Sequence, residues 1–434
     1  MHPKILLCTL IGLALTFQQI FAADHHASPV LTRTLLLSDN EAIYATHTAF
    51  INDLRLNGHS LTMKILSSDA IISGKLSLME DKQYIYDNLI IMTTSLEDLT
   101  TSTVFDLHHF FDQGGNISII GDFDTSDRFK DWANDFGFNF DKAGSYVIDY
   151  QKAYSKGTPN LFWTPNYKEF PMLADGVKGD LLYNGIGLTF THYETDQITV
   201  FLRGNTHTAS LYYDEVTGKH FNNLGKNVVL VAGIQGINNA RILVAGSLDM
   251  FSDELFSKSR GANRAYVKNL IEWMSHRRGF LRLKNNKGTC VDKNMQESEC
   301  PVKSKFIYDI EIDEWNYLQN QWVPYNADDV YFQLKFMDTK INKRMERVSD
   351  GKYHVYGQVP DRMGSYTFHI RYSRPGYSLL TADDKIFVRP YNYKENVKNW
   401  ERDSTAAIGV AVVLGGFVVV SVLFLYDTSR GGTI

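Results

Sequence analysis

The chain has 434 residues, 44% of them hydrophobic, with 44 basic and 49 acidic side chains for a formal net charge of −5. The two signs are dispersed, so there is no basic stripe of the kind nucleic acid requires, and nucleic-acid binding is set aside. Roughly 380 residues between the apolar ends exceed what one hydrophobic core normally holds, which excludes a single small domain.

At the N-terminus Lys4 precedes an apolar run from Ile5 to Leu15, and Ala22 and Ala23 stand before Asp24-His25-His26. This is the layout of a cleavable secretory signal over residues 1–23. Phe21 is bulky for the third position before a cut after Ala23, so a retained signal anchor stays open.

Residues 24–280 predict an α/β domain, with a core βαβ part at about 33–150. The runs RTLLLSD, AIYATHTAFINDLRLNG, LTMKIL, NLIIMT, VFDLHHFFDQGG and NISIIGD alternate apolar strands with amphipathic stretches. Ser38 and Asp39 suit the cap of the first helix, and Gly58 and Gly114 suit helix ends. Strands apolar on both faces belong to a parallel sheet covered by helices, which predicts a doubly wound α/β architecture. Further strands are expected at Ile198 to Arg203, Ala209 to Tyr213, Val228 to Ile234 and Arg241 to Ser247. The last two flank a short Gly236-Ile237-Asn238-Asn239 turn. A helix from Asn263 to His276, ending at Gly279, closes the domain.

Within this domain Asp122-Phe123-Asp124 follows the strand Ile117 to Ile120. A D-x-D at a strand end is a pattern by which two hard carboxylates hold Mg²⁺ or Mn²⁺ against a diphosphate. The competing reading is local: Asp122, Asp124, Ser126 and Asp127 precede a helix expected from Arg128, where carboxylates cap amides and favour the dipole. Asp249, Asp253 and Glu254 also cluster after a strand, either as cation ligands or as the cap of a helix at Ser252-Asp253-Glu254. His108 and His109 share a helix, one expected inward and one outward, without the partner spacing of a metal site. Asn116-Ile117-Ser118 is the only N-glycosylation sequon, and its place at the start of a core strand predicts that it is unmodified. Gly185-Ile186-Gly187 lacks the third glycine of a dinucleotide loop, and no G-x-S-x-G, G-x-x-x-x-G-K-[ST] or H-E-x-x-H is present.

From Phe306 to Arg389 the helical period gives way to alternating runs such as Tyr366, Phe368, Ile370 and Tyr372, separated by Ser349-Asp350-Gly351 and Arg374-Pro375-Gly376. Residues 281–390 therefore predict an antiparallel β-sandwich. Cys290 and Cys300 lie close together in a polar loop, and a disulfide is expected in an oxidising compartment. A metal pair would need two further ligands nearby, which the sequence lacks.

Residues 391–405 read as a juxtamembrane linker. Ala406 to Tyr426 is uncharged for 21 residues, and a helix of that length, rising about 1.5 Å per residue, spans a hydrocarbon core of roughly 30 Å. Lys394, Lys398 and Arg402 precede the span and Arg430 follows it, against the positive-inside rule, but a signal followed by a long translocated domain fixes orientation. Residues 427–434 would then be a cytosolic tail. Ala407, Ala411 and Gly415 recur every fourth residue and would let a neighbouring helix approach, although small residues are frequent in any span.

Several of these stretches together carry a resemblance. NNARILVAGSLDMFSD, preceded by DNLIIMTTSLEDL and FDQGGNISIIGD and followed by WVPYNADDV and the C-terminal anchor, resembles the 48 kDa subunit family of the eukaryotic oligosaccharyltransferase, in the family's order over essentially the whole mature chain. The resemblance implies an N-terminal domain related to glutamine amidotransferase and other Rossmann-like enzymes, whose chemistry needs an activated cysteine. Residues 24–280 contain no cysteine. It further implies a non-catalytic role, with no catalytic residue, cofactor or metal of its own, in a complex that moves a preassembled oligosaccharide from dolichol diphosphate to Asn in Asn-X-Ser/Thr. The implied partners are a multi-spanning catalytic subunit, ribophorin-type subunits, small membrane subunits and the nearby protein-translocation channel. The implied location is the endoplasmic reticulum membrane, single-pass type I with the bulk luminal. Several relatives end in lysine-rich retrieval tails, whereas Ser429-Arg430-Gly431-Gly432-Thr433-Ile434 has none, so retention would come from assembly. The reading that competes is a stand-alone single-span luminal glycosyltransferase using a metal at Asp122 and Asp124.

Overall fold

The computed structural model describes residues 32–65, 78–80, 83–92, 101–142, 144–190, 198–214, 218–291, 299–317, 319–391 and 400–430. The signal segment, His25 and His26, residues 292–298 between the two cysteines, linker residues 392–399 and tail residues 431–434 lie outside the described residues. Two compact units are present: Met1–Lys287 with Tyr308–Val355 and Phe368–Asp384, and Gly288–Ile307 with Tyr356–Thr367 and Lys385–Ile434.

The largest sheet has nine strands: β1 (Thr32–Ser38), β2 (His59–Ile65), β3 (Asn88–Met92), β4 (Asn116–Ile120), β5 (Phe138–Phe140), β6 (Leu188–Phe190), β7 (Ile198–Arg203), β8 (Val229–Gln235) and β9 (Arg241–Ala245). Their order is β2-β1-β3-β4-β9-β8-β6-β5, with β7 also on β8. The first five in that order are mutually parallel, with Leu36 opposite both Met63 and Ile90, and Ile117 opposite both Leu89 and Ile242. The strands are apolar on both faces because both faces are covered. Leu36, Ile90, Ile120 and Leu243 enter one core; Leu35, Leu89, Ile119 and Ile242 enter the other.

Helices α1 (Ala42–Thr46), α2 (Thr48–Leu56), α3 (Thr101–Asp112), α4 (Asp127–Asp135), α5 (Asp253–Lys258) and α6 (Ala262–Met274) supply that cover. Phe50, Leu54, Tyr266 and Trp273 of α2 and α6 fill the first core, and Phe110, Phe129 and Trp132 of α3 and α4 fill the second.

Three details depart from the sequence reading. The sheet is mixed: β8 and β9 are antiparallel, Val231 opposite Ala245, because the few residues between them cannot make the crossover that parallel strands require. Ala209–Asp214 leaves this sheet and pairs with Gly218–Leu224 and Tyr146–Ile148 in a separate three-stranded one. The first helix is broken at His47, whose buried ring hydrogen-bonds with Ile43 O at 3.1 Å and Leu248 O at 3.2 Å. At its start Asn40 Oδ1 accepts from Ala42 N at 2.9 Å, and Ser38 Oγ donates to Asn40 O at 2.8 Å just before it. Gly58 (φ 78°) and Gly114 (φ 96°) do follow helices in the left-handed conformation, where a side chain would be strained.

Ten strands follow: β10 (Leu281–Cys290), β11 (Glu299–Pro301), β12 (Lys305–Asn316), β13 (Gln321–Pro324), β14 (Tyr331–Phe336), β15 (Asp338–Arg344), β16 (Glu346–Ser349), β17 (Lys352–Gln358), β18 (Gly364–Tyr372) and β19 (Leu380–Arg389). They form two five-stranded sheets, β10-β12-β17-β16 with β13 on β12, and β11-β19-β18-β14-β15. Tyr308 of the first sheet meets Phe332 and Phe368 of the second, with ring centroids 5.3 Å apart in each case. The pairing is not purely antiparallel: β11 runs parallel to β19, Cys300 opposite Val388.

The last element, α7 (Trp400–Arg430), contains a 26-residue stretch, Ser404–Ser429, whose most apolar 18-residue window has a mean hydropathy of 2.8. It is long and apolar enough to cross a membrane. Ala407, Ala411 and Gly415 are exposed on it.

Candidate functional site

The D-x-D pair sits just beyond the carboxyl end of β4. There the chain folds back on itself before α4: Asp122 N donates to Thr125 Oγ1 at 3.0 Å, and Phe123 N donates to Asp122 Oδ1 at 2.9 Å. Ser126, the N-cap residue, accepts from Phe129 N. Burial pushes the Asp122 carboxyl up to about 6, against the pull of the Phe123 amide, with Asp249 and Asp124 adding to the rise. Asp124 points to solvent. Among the described residues no group of three or more His, Cys, Asp or Glu is arranged to hold a metal ion. The loop enters α4 through the Ser126 cap, with the Asp122 carboxylate held in an unfavourable environment.

The neighbouring loop after β9, Gly246-Ser247-Leu248-Asp249, locks onto Asn184-Gly185-Ile186-Gly187. Ile186 N donates to Gly246 O at 2.7 Å, Ser247 Oγ to Asn184 O at 2.5 Å, and Asn184 Nδ2 to Asp249 Oδ2 at 2.6 Å. The glycines permit this approach: a Cβ on Gly185 would overlap Gly246 O, and one on Gly246 would overlap Ile186 O. Gly185-Ile186-Gly187 is thus half of a backbone clasp.

The segment before β9, Asn238-Asn239-Ala240-Arg241, fastens three elements. Asn238 Nδ2 donates to the terminal α3 carbonyls of Phe111 (2.7 Å) and Asp112 (3.0 Å). Asn239, at φ 66°, accepts from Leu379 N at 3.0 Å through Oδ1. Arg241 is fully buried and has no carboxylate partner among the described residues. Its Nε donates to Gln235 Oε1 at 2.7 Å, and its two terminal nitrogens donate to the carbonyls of Trp273 (2.5 Å), Arg278 (2.7 Å) and Gly279 (2.7 Å). Burial pushes its pKa down to about 9, which still leaves it charged at neutral pH. A cation there faces the negative end of α6 and stacks 4.9 Å from the Trp273 ring. Trp273 Nε1 in turn donates to Gly376 O at 2.7 Å. Sequence reasoning noticed the motif and missed this role; the available signal was one Arg opening an otherwise apolar strand.

Comparison with known proteins bears on this motif-rich chain. Its residues 25–277 match the family model described as OST48, N-terminal domain, and residues 288–428 match the OST48 middle domain. The chain belongs to the OST48 family. Relatives include the protein named dolichyl-diphosphooligosaccharide–protein glycosyltransferase 48 kDa subunit in Danio rerio, 26% identical over 91% of both chains. Proteins of the same name in Arabidopsis thaliana (27%, 94% of both) and Drosophila melanogaster (26%, 85% of this chain and 86% of the relative) also match. Among solved structures, the Lin-41 filamin domain aligns with 24% of this chain and 93% of its own at 13% identity and a TM-score of 0.17, a likeness from which nothing is drawn.

In this OST48 family member the second acidic cluster is also explained by capping, with one surprise. Ser252 caps its own helix, accepting from Leu255 N, whereas Asp253 caps α2. Its carboxylate accepts from Thr48 N (2.9 Å), Thr48 Oγ1 (2.6 Å) and Ala49 N (2.8 Å), closing a loop of 205 residues. Burial would raise the Asp253 pKa, but the Thr48 hydroxyl and the Ala49 and Thr48 amides outweigh it and hold the carboxyl below its usual value. A depressed carboxylate pKa contributes stability above the unfolded value near 4, and that stability is lost as pH falls through the lower folded value. Asp253→Ala is accordingly expected to lower stability by about 1–2 kcal/mol at neutral pH. The deficit should shrink in melting curves as pH falls below the usual carboxylate range, and vanish once the parent cap is protonated too.

His108 and His109 each meet neighbouring side chains. His108 lies 3.3 Å from Asp135 Oδ2 and stacks on Phe136, His109 pairs with the Tyr84 hydroxyl, and both are half-buried rather than one in and one out. Asn116 is buried at the start of β4. Its Nδ2 donates to Asn88 Oδ1 at 2.9 Å and its Oδ1 accepts from Arg241 N at 3.0 Å, so the sequon amide is committed to the core. Cys290 and Cys300 form a disulfide with Cα atoms 5.9 Å apart.

Proposed function

We propose that this chain is a non-catalytic subunit of the oligosaccharyltransferase, the complex that transfers a preassembled oligosaccharide from dolichol diphosphate to Asn in Asn-X-Ser/Thr of nascent proteins. The observation that carries this reading is the match of both OST48 domains, in order, across residues 25–277 and 288–428. The geometry around Asp122 supports it, since the loop there enters α4 through the Ser126 cap. In this reading residues 24–280 are a Rossmann-like, amidotransferase-like luminal domain and 281–390 a second, β-sandwich luminal domain. The span 406–426 anchors them as a type I protein of the endoplasmic reticulum. Partners would be the multi-spanning catalytic subunit, ribophorin-type and small membrane subunits, close to the translocation channel.

The test is affinity purification of the tagged full-length chain in mild detergent, followed by transfer from a dolichol-linked donor to an Asn-X-Thr peptide. Activity should co-purify with a multi-spanning partner while the luminal part is inert. Recovery of the chain alone, or sugar transfer by its luminal part, would overturn the reading. The stripe Ala407, Ala411 and Gly415 is proposed as a helix-packing face within this assembly. Replacing all three with Leu should reduce recovery of membrane partners several-fold without changing the level of the chain itself; undiminished recovery would refute the stripe.

A further inference from the structure

A cleft of about 300 Å³ opens between β7, the end of β8, and the end of β18 with the segment that follows it. Its polar side chains are Thr199, Gln235, Arg371, Ser373, Arg374 and Tyr377, and no carboxylate lines it. All of these residues belong to the first unit.

The floor is set by the fold. Thr199 and Gln235 are only 5% and 8% exposed. The Thr199 hydroxyl accepts from Gly376 N at 3.1 Å, and its own hydrogen has no acceptor among the described residues. Gln235 presents its carbonyl to Arg241 Nε at 2.7 Å. Its amide nitrogen carries two hydrogens and makes one long contact, 3.4 Å to Asn239 Oδ1. Each of the two side chains therefore keeps a hydrogen to give.

The rim is cationic. Arg371 is exposed on the outward side of β18, next to the buried Ile370, and enters no hydrogen bond or ion pair among the described residues. Arg374 is held by neutral groups: Nη1 donates to Tyr325 Oη at 3.2 Å, and the guanidinium lies 5.9 Å from the centre of the Tyr377 ring. Two guanidinium groups opening onto one cleft without a counter-charge repel each other. An oxyanion removes that repulsion, because it accepts short charge-assisted bonds from both while its remaining lone pairs meet the hydrogens of Thr199 and Gln235.

We propose that this cleft binds an oxyanion, the phosphate or carboxylate group of a ligand, between a rim of Arg371 and Arg374 and a floor of Thr199 and Gln235. The inference does not depend on the subunit reading, since every residue in it belongs to this chain.

The test reads Arg371 directly. The full-length chain, purified with its bound partners, would be treated with phenylglyoxal, which modifies accessible guanidinium groups. Peptide mass spectrometry would follow the rate at Arg371 in chloride, in inorganic phosphate and in acetate, each at about 10 mM and matched ionic strength. Arg55 is the reference, exposed at the end of α2 beside the edge strand β2 and outside the cleft. At least one of the two anions is expected to slow modification of Arg371 about threefold or more relative to Arg55, the protection given by a Kd of about 5 mM or below. Protection by phosphate alone names a phosphate-bearing ligand; protection by acetate, with or without phosphate, names a carboxylate.

Ser373→Asp, at an exposed position of the lining, brings a carboxylate of its own into the cleft and should abolish the protection without disturbing the fold. If neither anion protects, if Arg55 is slowed as much, or if Ser373→Asp is protected like the parent, the cleft is no oxyanion site. An Arg371 that resists the reagent in chloride alone would mean that the assembly already covers the cleft, and the proposal falls with that result too.

Discussion

Arg241→Met is expected to destabilise the first unit by about 4 kcal/mol or more, enough to remove most of the folded chain. The side chain is fully buried and donates to four acceptors: Gln235 Oε1 and the carbonyls of Trp273, Arg278 and Gly279. Methionine matches its length and apolar stem but leaves all four acceptors unmet, at about 1–3 kcal/mol for each one that water cannot reach. It also removes the cation from the negative end of α6. Domains of ordinary stability hold only about 5–15 kcal/mol in total, so steady-state abundance should fall severalfold and protease resistance should collapse. Arg241→Lys should rescue little, because one ammonium cannot reproduce a planar fork that reaches carbonyls on both sides. A melting temperature within about 2 °C of the parent for Arg241→Met would refute this account.

The second large effect is expected at Gly246. Gly246→Ala places a methyl group against Ile186 O and near the Tyr183 hydroxyl, which is itself buried and donates to Ile186 O at 2.6 Å. Neither neighbour is a flexible side-chain tip, so the Asn184–Gly187 strap must be pushed away and its bond from Ile186 N to Gly246 O lost. Overpacking of this kind costs about 1–3 kcal/mol, and the lost buried bonds add to it. Ser247→Ala offers an internal comparison: it removes the bond to Asn184 O without adding volume and should cost about 1 kcal/mol. Chemical denaturation of the two variants should rank Gly246→Ala clearly worse; equal midpoints would mean that the clasp yields without strain.

The sequence disclosed more of the architecture than of the fastening. Strands apolar on both faces, such as Leu89 to Met92 and Ile117 to Ile120, announced a sheet covered by helices because each residue must find a core on its own side. The β8–β9 pair was legible from its short turn, and the apolar C-terminal stretch from its length. Long-range choices were not legible. That Asp253 caps a helix 205 residues upstream, or that Ala209–Asp214 joins a separate small sheet, depends on which elements become neighbours, and local pattern carries no record of that. At the candidate site the D-x-D spacing was equally compatible with a metal and with a cap. The Asp122 to Phe123 bond and the Ser126 cap engage one Asp122 oxygen and the turn before α4 in the second way.

The position of β9 bears on how the chain is made. Ile117 of β4 has Leu89 on one side, but its other neighbour is Ile242, which emerges from synthesis 125 residues later. At about 5–20 residues per second, an isoleucine-rich strand waits on the order of ten seconds with one edge open. An unpaired apolar edge is a template for the wrong strand, so a newly made chain needs its β4 edge shielded until Arg241–Ala245 arrives. Pulse-labelled chains stopped before residue 241 should accordingly be the ones held by chaperones.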